Sequence, residues 1–409
     1  MKRSVEDLAI FGGTRTFAED KHVGRPNLGD RAAFHKKIDE IFDRVWLTND
    51  GPVVRELEAR IANITGARHA LAVCNATVGL ELVAHGLELS GEVVLPAWTF
   101  VATAHAMRWV GLTPVFSDVE RSTHHLSAEL AARRITPRTT AILATHLWGE
   151  PCDVDALTAL AKKHRLKLIF DAAHAFGVGV GQRPIGTFGD AEVFSFHGTK
   201  FVNSFEGGAI TTNDDELARR LRLMRNFGFA GFDLVLHLGT NAKMHEASAA
   251  MALVNMDAMG VFMTANRVNL ETYQQALADV PGVRLRRPSG NGQRNFQYVV
   301  AEVDEALTGV SRDDILAVLQ AEGVIARRYF YPGAHRMEPY VSEEQPSLPM
   351  TEEIAAQVLI LPTGTAMSPV DICLVTDLIR FVVAHGPAIA AARGSGAAAH
   401  MPPLRLPRS

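Results

Sequence analysis

Cysteine is scarce in this chain. Cys74, Cys152 and Cys373 are the only three in 409 residues, far apart and odd in number. That is neither a disulfide framework nor a metal-ligand spacing, and it points to the reducing cytoplasm. A dominant charge is also missing. The 41 Lys and Arg against 45 Asp and Glu leave a formal −4, so no global basic field advertises nucleic-acid binding. A local patch for a phosphorylated ligand stays open, because a net count is blind to patches. No apolar run approaches the length needed to span a bilayer. Met1-Lys2-Arg3 is followed by the acidic pair Glu6-Asp7 and no long apolar stretch, which argues against a signal peptide. No His/Cys/Asp/Glu group has metal-ligand spacing, no Gly-x-Ser-x-Gly elbow occurs, and no internal repeat is visible.

What is there reads as an ordinary soluble composition, 47% hydrophobic and 21% charged. The length exceeds one average core and suggests two domains. Residues 1–30 read as an N-terminal arm punctuated by Gly12, Gly13 and Pro26. Helical spacing runs through Phe34, Ile38, Ile41 and Val45, and again from Val53 to Ile64 after Pro52. Short apolar runs then alternate with helical patterns. His69–Cys74, Glu92–Leu95, Thr113–Phe116, Ala141–Thr145 and Leu166–Phe170 are strand-like. Thr77–Leu87, Ala102–Val110 and Val154–His164 are helical. This βα alternation predicts an α/β fold with a mostly parallel sheet over residues 31–255. Residues 256–385 read as a smaller α+β domain, and the Ala-, Gly- and Pro-rich residues 386–409 as a disordered tail.

In parallel sheets, ligands sit beyond the carboxyl ends of the strands. That rule selects Asn75–Thr77, Pro96–Trp98, His146–Trp148 and Asp171–His174. Asp171 ends an apolar strand, where a carboxylate needs a partner. The protonated pyridine nitrogen of pyridoxal phosphate would be one, and an ordinary helix cap is the alternative. His174 lies three residues on and reads as a ring neighbour or as a packed histidine. Cys74-Asn75-Ala76-Thr77-Val78-Gly79 places free amides and a hydroxyl at a helix N-terminus, which suits a phosphate or merely a cap. Trp98 could cover a planar cofactor or pack in the core. Lys200 lies in the apolar stretch Phe194-Ser195-Phe196-His197-Gly198-Thr199-Lys200, before Glu206-Gly207-Gly208. Most lysines are exposed, but a desolvated one has a lowered pKa and suits Schiff-base chemistry. Gly177-Val178-Gly179-Val180-Gly181 resembles a dinucleotide fingerprint without its following helix, so a hairpin turn is expected.

The order and spacing of these pieces together resemble the DegT/DnrJ/EryC1/StrS family of pyridoxal-phosphate-dependent nucleotide-sugar aminotransferases. The resemblance runs from about Phe11 to about Ile379. It is carried by Trp46–Pro52 (WLTNDGP), Cys74–Leu80 (CNATVGL), Leu95–Thr103 (LPAWTFVAT), Asp171–Gly177 (DAAHAFG), Phe194–Ile210, Gly239–Glu246 (GTNAKMHE) and Leu361–Gly364 (LPTG). It implies the aspartate-aminotransferase-like (type I) fold. It also implies Lys200 as the Schiff-base lysine and proton shuttle, Asp171 as partner of the pyridine nitrogen, His174 beside the ring and Trp98 stacked on it. Ala76, Thr77 and Ser195 would hold the phosphate. Asn241 would reach that phosphate from the other subunit of a homodimer with shared active sites.

Three departures stand out: Ala76 where many relatives have glycine, Lys243 where many have arginine, and His174 where many have glutamine. None removes a chemical role. Family members that act as sugar dehydratases replace the Schiff-base lysine, so Lys200 argues against that activity. A cofactor-bound regulator would need a DNA-binding appendage, and none is evident. WLTNDGP, CNATVGL, Asn226–Phe229 (NFGF), GTNAKM and LPTGTA are most similar to the branch that aminates C4. That implies L-glutamate as donor and dTDP-4-keto-6-deoxy-D-glucose as acceptor, in antibiotic deoxysugar synthesis, with a 3-keto sugar as the alternative acceptor. For the nucleotide sugar, Arg25, Lys243, Arg327, Arg328, Tyr329, Tyr331 and His335 are candidates, each equally readable as a surface or packing residue.

Overall fold

The computed structural model describes residues 2–288, 290–341 and 347–394. Seven strands form the main sheet: β1 (His69–Val73), β2 (Glu92–Pro96), β3 (Thr113–Ser117), β4 (Thr139–Thr145), β5 (Lys167–Asp171), β6 (Ala191–Ser195) and β7 (Gly208–Thr212). Their spatial order is β1-β7-β6-β5-β4-β2-β3, and only β7 runs antiparallel to its neighbours. The mostly parallel sheet is therefore as expected.

Helices cover both faces, which explains why the strands are apolar throughout rather than alternating. They are α1 (Arg31–Arg44), α2 (Pro52–Thr65), α3 (Ala76–Gly86), α4 (Val101–Trp109), α5 (Val154–His164), α6 (Asp215–Met224) and α7 (Glu246–Asp257). Successive residues of β1 serve opposite cores. Leu71 and Val73 pack with α3, α4 and α6, while Ala70 and Ala72 pack with α1, α2 and α7. At Gly179–Gly181 the chain turns a small hairpin, with Val180 opposite Arg183, as the missing helix implied.

After α7 the chain bends by 60° into α8 (Met259–Ala276). The expected division at 255/256 thus falls in the last turn of α7. A second sheet follows: β8 (Val283–Leu285), β9 (Val299–Val303) and β10 (Val358–Leu361), all antiparallel. It packs with α8, α9 (Arg312–Ala321) and α10 (Pro369–Ala384) around its own core. The N-terminal arm joins this second core. Leu8 and Phe17 are buried in it, and Lys21–His22 pairs in parallel with Val324–Ile325.

The expected tail needs correction. Residues 386–394 form α11 (Gly386–Gly394), and Ile389 is buried against the second core. Alanine is the strongest helix former, so an Ala-rich stretch with one buried anchor need not be disordered. Residues 395–409 lie outside the described residues. Among the described residues no single helix is long and apolar enough to cross a membrane.

Candidate active site

The carboxyl ends of β1, β2, β4, β5 and β6 meet at a cavity of about 640 Å³. β1 leads through Asn75 into α3. The extended Asn75 accepts a hydrogen bond from the Val78 amide at 2.9 Å, capping the helix. The amides of Ala76 and Thr77 belong to the first turn, which has no intrahelical acceptors for them. Both residues line the cavity, as does Ser195 at the end of β6. Gly208 brings these pieces close: it pairs with Val73 and Ser195, and a Cβ there would lie 2.8 Å from the Ala76 nitrogen. Helix dipole, free amides and hydroxyls make this corner an anion site.

Asp171 ends β5 and lines the same cavity. Its Oδ1 accepts the Ala173 amide at 3.1 Å and its Oδ2 the Thr103 hydroxyl at 2.8 Å. Lys200 lies in the loop after β6, also on the cavity wall. Burial lowers its amine to about 8, against the opposing pull of the Asp171 charge. A lysine so placed is partly neutral near physiological pH and can act as a nucleophile. His174 is buried, and burial together with the Lys200 charge pushes it well below the ordinary histidine value. It therefore acts as a neutral aromatic wall. Its ring lies 4.4 Å from that of Tyr298 and is stacked at 6.1 Å on Phe330.

Of the residues expected from sequence, Ala76, Thr77, Asp171, His174, Ser195, Lys200, Arg327 and Tyr329 line this cavity. Arg327 and Tyr329 come from the second-sheet side, with the guanidinium 5.8 Å from the tyrosine ring. Others do not line it. Trp98 is fully buried, wedged against Phe330 and His124 under the cavity wall. The aromatic that lines the cavity from this turn is Phe100, at the N-cap of α4. His335 is likewise fully buried and faces Glu352 at 3.4 Å, so it packs rather than meets substrate. Tyr331 stacks outside on Arg328, which pairs with Asp313. Arg25 is exposed on the arm beside Gly24, whose Cβ position adjoins Thr199.

Asn241 and Lys243 lie away from the cavity of their own chain. Asn241 is exposed and bridges to Asn226. Lys243 donates to the Asn226 side chain at 2.8 Å and lines a smaller cavity with Asp50, Arg222 and Arg225. Next to them a hairpin, Phe229–Gly231 and Leu234–Val235, stands out with Phe232, Leu234 and Val235 exposed.

Sequence reasoning missed Phe100, Thr103, His197, Glu206, Tyr298 and Phe330. Phe100 and Thr103 lie inside the same LPAWTFVAT stretch, and the helix start at Val101 was the signal that separates Phe100 from Trp98. Tyr298 and Phe330 reach the cavity only through tertiary packing. The assembled set fits pyridoxal phosphate part by part: an amine of lowered pKa, an anchored carboxylate, an anion corner and flat walls.

The model of the DegT/DnrJ/EryC1/StrS aminotransferase family matches residues 29–380. DesI, solved in the presence of its TDP-sugar product, is 50% identical and superposes with a TM-score of 0.93, over 96% of this chain and 100% of that one. DesV of S. venezuelae, solved in complex with a ketimine intermediate, is 30% identical with a TM-score of 0.81, over 88% and 98%. The dTDP-4-amino-4,6-dideoxy-D-glucose transaminase of Shigella dysenteriae is 34% identical over 365 residues, 88% of this chain and 96% of that enzyme.

Proposed function

The chain belongs to the DegT/DnrJ/EryC1/StrS aminotransferase family and is a pyridoxal-phosphate-dependent sugar aminotransferase; from that premise we propose that it moves the amino group of L-glutamate to C4 of dTDP-4-keto-6-deoxy-D-glucose. The product would be dTDP-4-amino-4,6-dideoxy-D-glucose, an intermediate for antibiotic deoxysugars. The observation that carries this choice is the 50% identity to DesI, solved in the presence of its TDP-sugar product. The Shigella relative, named for the same amino sugar, supports it.

Pyridoxal phosphate, when bound, would supply an electron sink that takes up the electron pair left when the amino-bearing carbon loses its proton. The chain's residues do the rest. Ala76, Thr77 and Ser195 bind the phosphate. Asp171 holds the proton on the ring nitrogen. Phe100 and His174 enclose the ring. Lys200 would hold the cofactor through its amine; once the donor's amino group has taken its place, the freed amine would accept the proton from the donor's amino-bearing carbon and return it on the other side of the nitrogen. With the ketosugar it moves the proton in the reverse sense. One cavity serves both substrates in turn, so the kinetics are ping-pong. Arg327 and Tyr329 contact the acceptor or the donor from the second-sheet side.

We further read the molecule as a homodimer. Asn241 and Lys243 lie outside their own cavity beside an exposed apolar hairpin, and Phe232 is fully exposed at its tip. A second copy seated there would cover the hairpin and bring Asn241 to its neighbour's phosphate corner.

The deciding experiment incubates purified enzyme with pyridoxal phosphate, L-glutamate and a panel of dTDP-ketosugars, with product regiochemistry read by NMR. Amination at C4 is expected. Amination of a 3-keto isomer alone would overturn the assignment in favour of the C3 reaction. Light scattering at the same protein concentration should give twice the chain mass; a monomer with full activity would defeat the shared-site reading.

A further inference from the structure

The turn between β2 and α4 holds two hydroxyls that the reaction as described does not use. Thr99 and Thr103 are both buried, 2% and 0% exposed. Their Oγ1 atoms lie 2.8 Å apart, and the Thr103 Oγ1 is 2.8 Å from Asp171 Oδ2. Thr99 precedes the N-cap residue Phe100, and Thr103 lies in the first turn of α4.

Proton counting fixes the direction of this chain. An ionised carboxylate has no proton to give, so the Thr103 hydroxyl spends its single proton on Asp171. It can then only accept from Thr99. The Thr99 hydroxyl therefore donates to Thr103, which donates to Asp171. Each bond polarises the next, so the second strengthens the first. The other carboxylate oxygen is held by the Ala173 amide. Asp171 is thus pinned from two elements, its own strand end and the α4 turn. The segment from Thr99 to Thr103, which carries both hydroxyls, also places Phe100 on the cavity wall.

We propose that Thr99 and Thr103 form a directed hydroxyl relay that positions Asp171 against the cofactor's ring nitrogen. They are positioning residues, acting through Asp171 rather than on the substrate. Thr103 is the nearer link, and Thr99 acts only through Thr103. The relay and Phe100 share one rigid turn, so the ring's face and its nitrogen partner are set in register by a single segment.

The test uses Thr103→Val, which keeps the shape and removes the hydroxyl, with Thr103→Ser, Thr99→Val and the double variant Thr99→Val/Thr103→Val. Single-turnover conversion of the bound cofactor by the amino donor is followed by absorbance, together with the cofactor dissociation constant and the thermal midpoint. Only the donor half-reaction is read, so a wrong identification of the sugar would leave the outcome untouched. A hydrogen bond to a charged group is worth enough for a tenfold to hundredfold loss in the maximal half-reaction rate of Thr103→Val. The donor concentration at half-maximal rate should stay within about twofold, since no substrate contact is removed. Thr103→Ser should recover most of the rate. Thr99→Val should slow it less, and the double variant should match Thr103→Val alone, because the Thr99 hydroxyl, although it borders the cavity, spends its proton on Thr103. Multiplying effects in the double variant would overturn the relay. So would a Thr103→Val enzyme that converts its cofactor at the wild-type rate, or one whose loss is matched by an unfolding midpoint below the assay temperature and is not rescued by serine.

Discussion

Trp98 and Phe100 stand two residues apart on one turn and meet different surroundings. Trp98 is fully buried among Val119, Leu147, Trp148 and Phe330, whereas Phe100 is 55% exposed and lines the cavity. Two substitutions separate their roles. Trp98→Ala should cost about 3–5 kcal/mol in stability, as large aromatic deletions in cores do, and leave cofactor affinity nearly unchanged in the folded enzyme. Phe100→Ala should leave the urea midpoint almost unmoved but weaken cofactor binding roughly twofold to tenfold, the worth of one aromatic contact. Cofactor titration by absorbance reads the second effect; the opposite pattern would return the stacking role to Trp98. Lys200 gives a pH signature. Its amine is lowered to about 8 by burial, so the neutral form grows as pH rises towards that value. The rate at which apoenzyme captures pyridoxal phosphate should climb about tenfold per unit below pH 8 and level off above it. Stopped-flow absorbance checks this, and a break near the free-lysine value would mean the amine is not desolvated.

α2 shows what local sequence can and cannot convey. Its apolar spacing and the proline at its first position mark it clearly, and it runs Pro52–Thr65. Its cap is invisible locally, because Gly51 offers no side chain. Instead Glu246, at the start of α7 and fully buried, accepts the amides of Val53 and Val54 at 2.9 and 2.8 Å, from 193 and 192 residues away. A Cβ on Gly51 would approach the Glu246 carboxyl to 2.5 Å, so the glycine is the space that admits the carboxylate. Two stretches singled out in sequence, WLTNDGP and GTNAKMHE, are thus one joint. Glu246→Gln should lower stability by about 1.5–3 kcal/mol, the range for hydrogen bonds to a charged group. The urea midpoint should fall with its slope preserved; an unchanged midpoint would show that solvent serves the α2 amides equally well. Strands and helices with their own periodicity are legible in the sequence, as is the strand-end rule that selects Thr77, Asp171 and His174, all of which line one cavity; Ser195 comes only from the family resemblance. The two-residue pairing at Lys21–His22, the packing that brings in Tyr298 and the anchoring of Ile389 depend on partners far along the chain, which no window contains.

At the scale of the molecule, one buried carboxylate gathers charged partners from both sheets. Glu302 on β9 is nearly buried and pairs with Arg121 at 2.9 Å and His124 at 3.2 Å from the first-sheet side, and with Arg284 and Arg286 from its own. Burial alone would raise its pKa, but the hydrogen bonds from His124 and Arg284 outweigh it and hold the carboxyl well below its usual range. Burial lowers His124 to about 4, so the folded state keeps it neutral. It then accepts from the Trp148 indole at 3.3 Å. Between about pH 6.5 and 4 the unfolded chain binds a proton at this histidine that the folded chain refuses. Stability is therefore lost as pH falls through that window, by up to about 3 kcal/mol from this group. Glu302 adds a loss of the same sign once the pH drops below the ordinary carboxylate value. His124→Gln should flatten the acid limb of a stability-versus-pH curve, and an unaltered limb would count against the assignment.

The arm carries a last consequence, for how the molecule is made. The Ala9 amide bonds to the Glu322 carboxylate across 313 residues of sequence, and Leu8 and Phe17 are buried only against the second core. At roughly 5–20 residues per second on the ribosome, the arm waits on the order of 15–60 seconds for its docking surface to be synthesised. Through that interval its apolar residues are uncovered while the first sheet can already assemble. The earliest of these segments to emerge is among the last to settle.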